Sequence, residues 1–202
     1  MPRQNRVTPE GRIIADPARG MFMGNRGVLH DDAGNILDPF RHRNWVCCLL
    51  QFKGRKREIM KPGHYTELFF LDEAAALAAG HRPCAECRRA DYDRFRAAWA
   101  GDGPLPSAKA MDAALHAARV MPRTRVQVTQ NAPVESLPDG AFILWQDRPA
   151  LVLGDRLRPW TPSGYGPAIA RPVTGEVTVL TPAPTVAVLA AGYRPDLHKT
   201  AL

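Results

Sequence analysis

Four cysteines are the residues of this chain best suited to chemistry. Cys47 and Cys48 stand side by side in "WVCCLLQF", and Cys84 and Cys87 are two residues apart in "GHRPCAECRR". A Cys-x-x-Cys turn presents two thiolates from one tight knuckle, which is half of a tetrahedral zinc site. Thiol–disulfide exchange uses the same spacing, but there the first cysteine opens a helix after a strand, where the dipole lowers its pKa. Here the pair follows a predicted helix and a proline, which favours metal over redox chemistry. Inert buried thiols are the plain alternative. The cysteines are too few and too closely paired for a disulfide framework.

The elements that must position these residues read as follows. "WVCCLLQF" is a strand, and with the basic run "KGRKR" and then "EIM" it predicts a hairpin with a basic tip. Alternation puts Val46, Cys48, Leu50 and Phe52 on one face and Trp45, Cys47, Leu49 and Gln51 on the other. The first face is continuously apolar and is expected inside. Cys48 is then the thiol that meets the knuckle, and Cys47 is the freer one. "ELFF" is a short strand and "LDEAAALAAG" a helix, with Asp72 as N-cap and Gly80 as its stop. A second helix runs from near Cys87 to about Ala100, with Tyr92, Phe95 and Trp99 as core residues. Ser107 caps a third, with Met111, Ala114, Leu115 and Ala118 along its apolar stripe.

The stretch "ELFFLDEAAALAAGHRPCAECRR", residues 67–89, resembles the end of the zinc-binding N-terminal domain of Ada-type DNA-repair proteins: a strand, a small-residue helix ending in Ala-Gly, then Arg-Pro-Cys-x-x-Cys. The likeness extends back to about Trp45, covering roughly residues 45–90. It implies zinc held by four thiolates, one of which accepts a methyl group from a DNA phosphotriester in the family. Cys84 and Cys87 match the second ligand pair. The first pair departs from the family, whose hairpin cysteines are three residues apart. The ligand set expected here is Cys48, Cys84 and Cys87, completed by His64 of "KPGHYTELFF" or by Cys47, with His30 and His81 as weaker candidates. The family's methyl-accepting thiolate has no certain counterpart.

The net charge is +7, and residues 41–96 hold 12 Lys and Arg against 7 Asp and Glu, so +5 falls in about a quarter of the chain. A localised basic patch binds nucleic acid by counterion release. The expected contacts are Lys53, Arg55, Lys56 and Arg57 at the hairpin tip and Arg82, Arg88 and Arg89 at the knuckle. "MGNRG" at 23–27 is read as a turn rather than a phosphate contact. No apolar run approaches a membrane span and the N-terminus lacks an apolar signal region, which predicts a cytoplasmic protein without a membrane partner.

From Ala141 onward, "AFILW", "ALVLG", "LRPW" and "EVTVL" predict a small sheet or partly open barrel, followed by a short terminal helix. The expected fold is α+β. An N-terminal β segment (1–44) precedes the Ada-like module (45–100), a linker and helix (101–125) and a β-rich region (126–202). "LAAGYRP" at 189–195 echoes "LAAGHRP" at 77–83 and is read as the same helix stop used twice. No H-E-x-x-H, G-x-S-x-G or Walker loop is present, so no catalytic residues are assigned. The expectation is a zinc protein that binds DNA, with a link to repair. The alternatives are an alkyl acceptor using a zinc-bound thiolate and a zinc-stabilised protein-interaction module.

Overall fold

The computed structural model of the chain describes residues 1–56 and 58–202. Strands β1 (Gln4–Val7), β2 (Ile13–Ala15), β3 (Phe22–Asn25), β4 (Val46–Leu49), β5 (Leu68–Phe70) and β6 (Arg82–Pro83) form one sheet in the order β2-β1-β5-β3-β4-β6. The β1–β5 and β4–β6 pairs are parallel and the other neighbours antiparallel. The boundary expected after residue 44 falls inside this sheet, because β3 is the partner of β4. The hairpin expected across "KGRKR" does not form: β4 ends at Leu49, and residues 58–60 lie outside any strand. The reason is occupancy. Both edges of β4 are already hydrogen-bonded, to β3 and to β6, so "EIM" has no ladder to join. "GVLHDDAGNILD" makes one bridge, His30 to Ile36, around a turn in which the Asp31 carboxylate accepts from the N–H groups of Ala33 and Asn35.

Helix α1 (Glu73–Ala78) begins as the sequence predicts. Asp72 caps it, accepting from the Ala75 N–H at 2.9 Å. Gly80, at φ 83°, closes it in a Schellman motif: its N–H donates to Leu77 at 2.9 Å and that of His81 to Ala76 at 2.9 Å. Every residue of α1 is buried. An almost all-alanine helix can be enclosed on every side because small side chains let two layers approach it at once. Ala76 and Ala79 pack with Val7, Leu68 and Phe70 of the first sheet. Ala74, Ala75 and Ala78 pack with Phe142 and Leu151 of the second.

That second sheet contains β7 (Gln130–Pro133), β8 (Phe142–Trp145), β9 (Arg148–Leu153), β10 (Arg156–Thr161), β11 (Gly164–Tyr165), β12 (Ile169–Ala170) and β13 (Glu176–Val179). It is antiparallel in the order β11-β10-β9-β8-β13-β7, with β12 also on β10, and its ends do not meet, so it is an open sheet and not a barrel. Its other face carries α2 (Arg89–Ala100), α3 (Ala108–Arg119) and α4 (Ala183–Ala190) around Tyr92, Phe95, Met111, Val188 and Leu189. Ser107 caps α3, accepting from Ala110 at 3.1 Å. On α3, Met111 and Leu115 are fully buried, but Ala114 is exposed and the charged Asp112 and Arg119 are buried instead. The repeated "LAAG" closes α4 as it closes α1: Gly192, at φ 99°, donates to Leu189 at 3.0 Å and Tyr193 to Val188 at 3.2 Å. The whole is a mixed α and β fold with two sheets and four α-helices among the described residues.

Candidate metal centre

Parallel pairing of β4 with β6 assembles the site. Val46 lies beside Arg82 and Cys47 beside Pro83, and the Cys84 N–H donates to the Cys47 carbonyl at 2.9 Å. One place further along the same register, Cys84 is level with Cys48. The chain then turns, with the Arg88 N–H donating to the Cys84 carbonyl at 3.1 Å just before α2. The sulfurs of Cys48, Cys84 and Cys87, each half-buried, consequently lie within 4.8 Å of one another. Two backbone N–H groups are directed at them, Leu49 to Cys87 Sγ and Glu86 to Cys84 Sγ, both at 3.4 Å. The Cys84 thiol is held far below its ordinary pKa by hydrogen bonds from the Cys48 and Cys87 thiols, assisted by the N–H groups of Cys87 and Glu86. Cys48 is pushed far above its ordinary value by its hydrogen bonds to the Cys84 and Cys87 sulfurs and by burial. Three thiols this close could hold a metal ion, which would bind by displacing their protons.

Cys47 points the other way. It is fully buried among Val7, Phe22, Leu68 and Phe70, and the Arg88 guanidinium donates to its sulfur at 3.5 Å. Burial pushes its thiol well up. The alternation along β4 is the expected one, but the polarity of the faces is reversed: the Cys47 face is the interior. Leu50 and Phe52, which suggested an apolar inner face for Cys48, lie beyond the end of β4, and Leu50 is 44% exposed. The inner face is set instead by what α1 covers, namely Phe22 of β3 and Leu68 and Phe70 of β5.

His64 does not join the cluster; it is exposed, with Nδ1 3.1 Å from the Pro62 carbonyl. His30 is bonded to Thr66 Oγ1 at 2.6 Å, and the His81 ring is enclosed beside Arg26 and Phe70. Among the described residues no fourth His, Cys, Asp or Glu meets the three sulfurs.

No family model, curated protein or solved structure matches the chain. Among the described residues, no helix is long and apolar enough to cross a membrane.

The basic residues divide. Lys53, Arg55 and Lys56 are exposed on the segment after β4, and Arg55 pairs at 2.7 Å with Glu86, which lies between the two knuckle cysteines. Arg57 lies outside the described residues. Arg89 is exposed and pairs with Asp93 one turn along α2, at 2.8 Å. Arg82 and Arg88 are not surface groups. Arg82 grips Asp112 through two bonds of 2.8 Å, and Arg88 is enclosed by Glu73, Asp91 and Asp196. Burial by itself would lower the Arg88 pKa, but the hydrogen bond to Glu73 and the surrounding negative charge more than offset it. Guanidiniums enclosed by carboxylates in this way are structural ties and do not reach a phosphate.

Arg26, Trp45 and Arg119, none of which the sequence assigned to a site, gather around one cavity, and "MGNRG", read as a turn, is mostly strand β3 with Arg26 just past its end. Arg119 had a signal, since 111, 115 and 119 fall on one helical stripe and place an arginine in line with two core residues.

Proposed function

We propose that Cys48, Cys84 and Cys87 hold one zinc ion, and that the centre anchors a basic loop that contacts the phosphates of nucleic acid, DNA foremost. The observation that carries the metal is the approach of three thiol sulfurs to within 4.8 Å of one another. Three thiolates at that range repel unless a cation lies between them. An all-sulfur donor set, two of whose sulfurs also accept backbone N–H bonds, suits zinc better than a hard cation. Zinc takes four ligands, so three thiolates leave one position for water or for a group from outside the cluster. The nucleic-acid reading is supported by the Arg55–Glu86 bridge, which ties the exposed Lys53–Lys56 segment to the knuckle itself. The order strand, small-residue helix, Arg-Pro-Cys-x-x-Cys is also that of the Ada-type zinc domains this stretch resembles.

The test is elemental analysis of the full chain purified without added zinc. About one zinc per chain is expected, with most of it lost in Cys84→Ser and in Cys87→Ser. Wild-type protein that is metal-free, and whose melting temperature does not respond to zinc, would refute the assignment.

A further inference from the structure

A cavity of about 600 Å³ opens beside β2, the 36–40 segment and the end of α3, away from the thiol knuckle. Its walls are largely apolar, with Ile13, Ile36, Phe40 and Leu180 among them. Two charged side chains on its wall stand apart from the rest. Arg26 and Arg119 are 2% and 1% exposed, and their guanidiniums lie on the Trp45 ring, 4.1 and 3.8 Å from its centroid.

Among the described residues, neither has a carboxylate partner. Arg26 donates to the Gly11 carbonyl at 2.9 Å and, at 3.4 Å, to the Ala79 carbonyl and His81 Nε2. Arg119 donates to the carbonyls of Gly80 and Arg43, and its Nε has no partner. The nearby acids pair with other arginines, although Glu10 Oε2 is buried without a hydrogen-bond partner. Asp112 is held by Arg82, Glu10 by Arg12 at 2.6 Å, and Asp38 by Arg125 at 2.7 Å and by Arg41. The cavity is thus lined by four arginines and two acids, and the arginines left uncompensated are the two buried ones.

Two like charges enclosed together without a counter-charge are costly. Burial holds Arg26 down to about 9 and Arg119 to about 8, well below the usual arginine range. A guanidinium presents a planar fork that matches a carboxylate or a phosphate, and an anion placed here would complete both.

We propose that this cavity binds a small organic anion, a carboxylate or phosphate monoester, with its charged end on Arg26 and Arg119 beside Trp45 and its apolar body against Ile13, Ile36 and Phe40. The volume is in the range of pockets that enclose most of a small organic ligand. The site is independent of the metal centre, so either assignment can fail without the other.

The experiment is calorimetric titration and thermal unfolding of the full chain with phenylacetate and phenyl phosphate, using phenylacetamide as the uncharged counterpart. At least one anion is expected to bind and to raise the melting temperature, while the amide does neither; the better anion identifies the headgroup. Arg119→Met keeps the unbranched stem of the side chain and removes the guanidinium with its charge. It should weaken the anion on the order of tenfold or more, and it should also lower the melting temperature of the ligand-free protein, because the carbonyls of Gly80 and Arg43 lose their donor. Leu37→Asp alters a cavity residue that is 64% exposed, leaves the core untouched and sets a negative charge at the site. It too should weaken the anion, and it remains decisive if Arg119→Met does not fold. Amide binding as tight as the acids, binding of neither anion, or wild-type affinity in these variants would overturn the proposal.

Discussion

Cys47 and Cys48 are neighbours in the chain and opposites in environment, because successive side chains on a strand face opposite sides. Cys48 reaches the knuckle, whereas Cys47 is enclosed in the core under α1. In protein stripped of metal with a chelator, a thiol-alkylating reagent should modify Cys48, Cys84 and Cys87 and spare Cys47 until the chain unfolds. Cys47→Ser should retain its zinc yet lose about 1–3 kcal/mol of stability, since it places a hydroxyl among apolar side chains. Cys48→Ser should lose most of its zinc. Metal analysis and urea unfolding of the two variants separate these outcomes, and equal zinc loss from both would show that Cys47 is also a ligand.

At the scale of elements, α1 and α4 end in the same four letters and the same pair of hydrogen bonds, but their surroundings differ. A side chain with φ in the left-handed region costs roughly 1–2 kcal/mol, and Gly192→Ala should show little more than that, because a Cβ there has nothing within 4 Å. At Gly80 a Cβ would lie 2.3 Å from Arg119 Cδ. Gly80→Ala should therefore be clearly the more destabilising in urea unfolding, and equal losses would mean that Arg119 moves aside freely. The helix starts and stops were legible in the sequence because Asp72, Ser107, Gly80 and Gly192 bond to groups within a turn of themselves. The failed hairpin shows the converse. Nothing local to "WVCCLLQF" says that its edges are taken by residues 22–25 and 82–83.

For the whole molecule, burial takes particular arginines off the surface without changing the net charge of +7, because among the described residues four buried arginines are matched by four buried acids, Glu67, Asp72, Glu73 and Asp112. Arg26, Arg82, Arg88 and Arg119 are all spent inside. Arg88 pairs with Glu73, which also accepts from the Tyr193 hydroxyl at 2.7 Å and the Asp196 N–H at 2.9 Å, so one ionic cluster binds α1, α2 and the chain's end. Duplex DNA binding should weaken steeply with salt. Joint replacement of Lys53, Arg55 and Lys56 by Ala should reduce the log–log slope by roughly 0.9 per lost phosphate contact. Arg88→Met should leave that slope unchanged while destabilising the fold by about 3–5 kcal/mol, because Glu73 stays buried without its partner. A filter-binding series across salt concentrations decides this, and no binding even at low salt would remove DNA as the ligand.

The sequence by itself determined the helices, the caps of α1 and α3, four of the strands after Ala141 (but not β11 or β12) and the two-residue spacing of Cys84 and Cys87. Each of these depends on neighbours within a few positions or on a period of 2 or 3.6 residues. Only the tertiary structure decided which face of β4 is inside, which arginines remain on the surface, and that Arg26 and Arg119 share one cavity. Those outcomes depend on pairings between segments tens of residues apart, such as β4 with β6 and Arg82 with Asp112. Type and spacing name what a side chain can do, whereas burial and charge pairing, which arise only when distant segments meet, select which of those roles it performs.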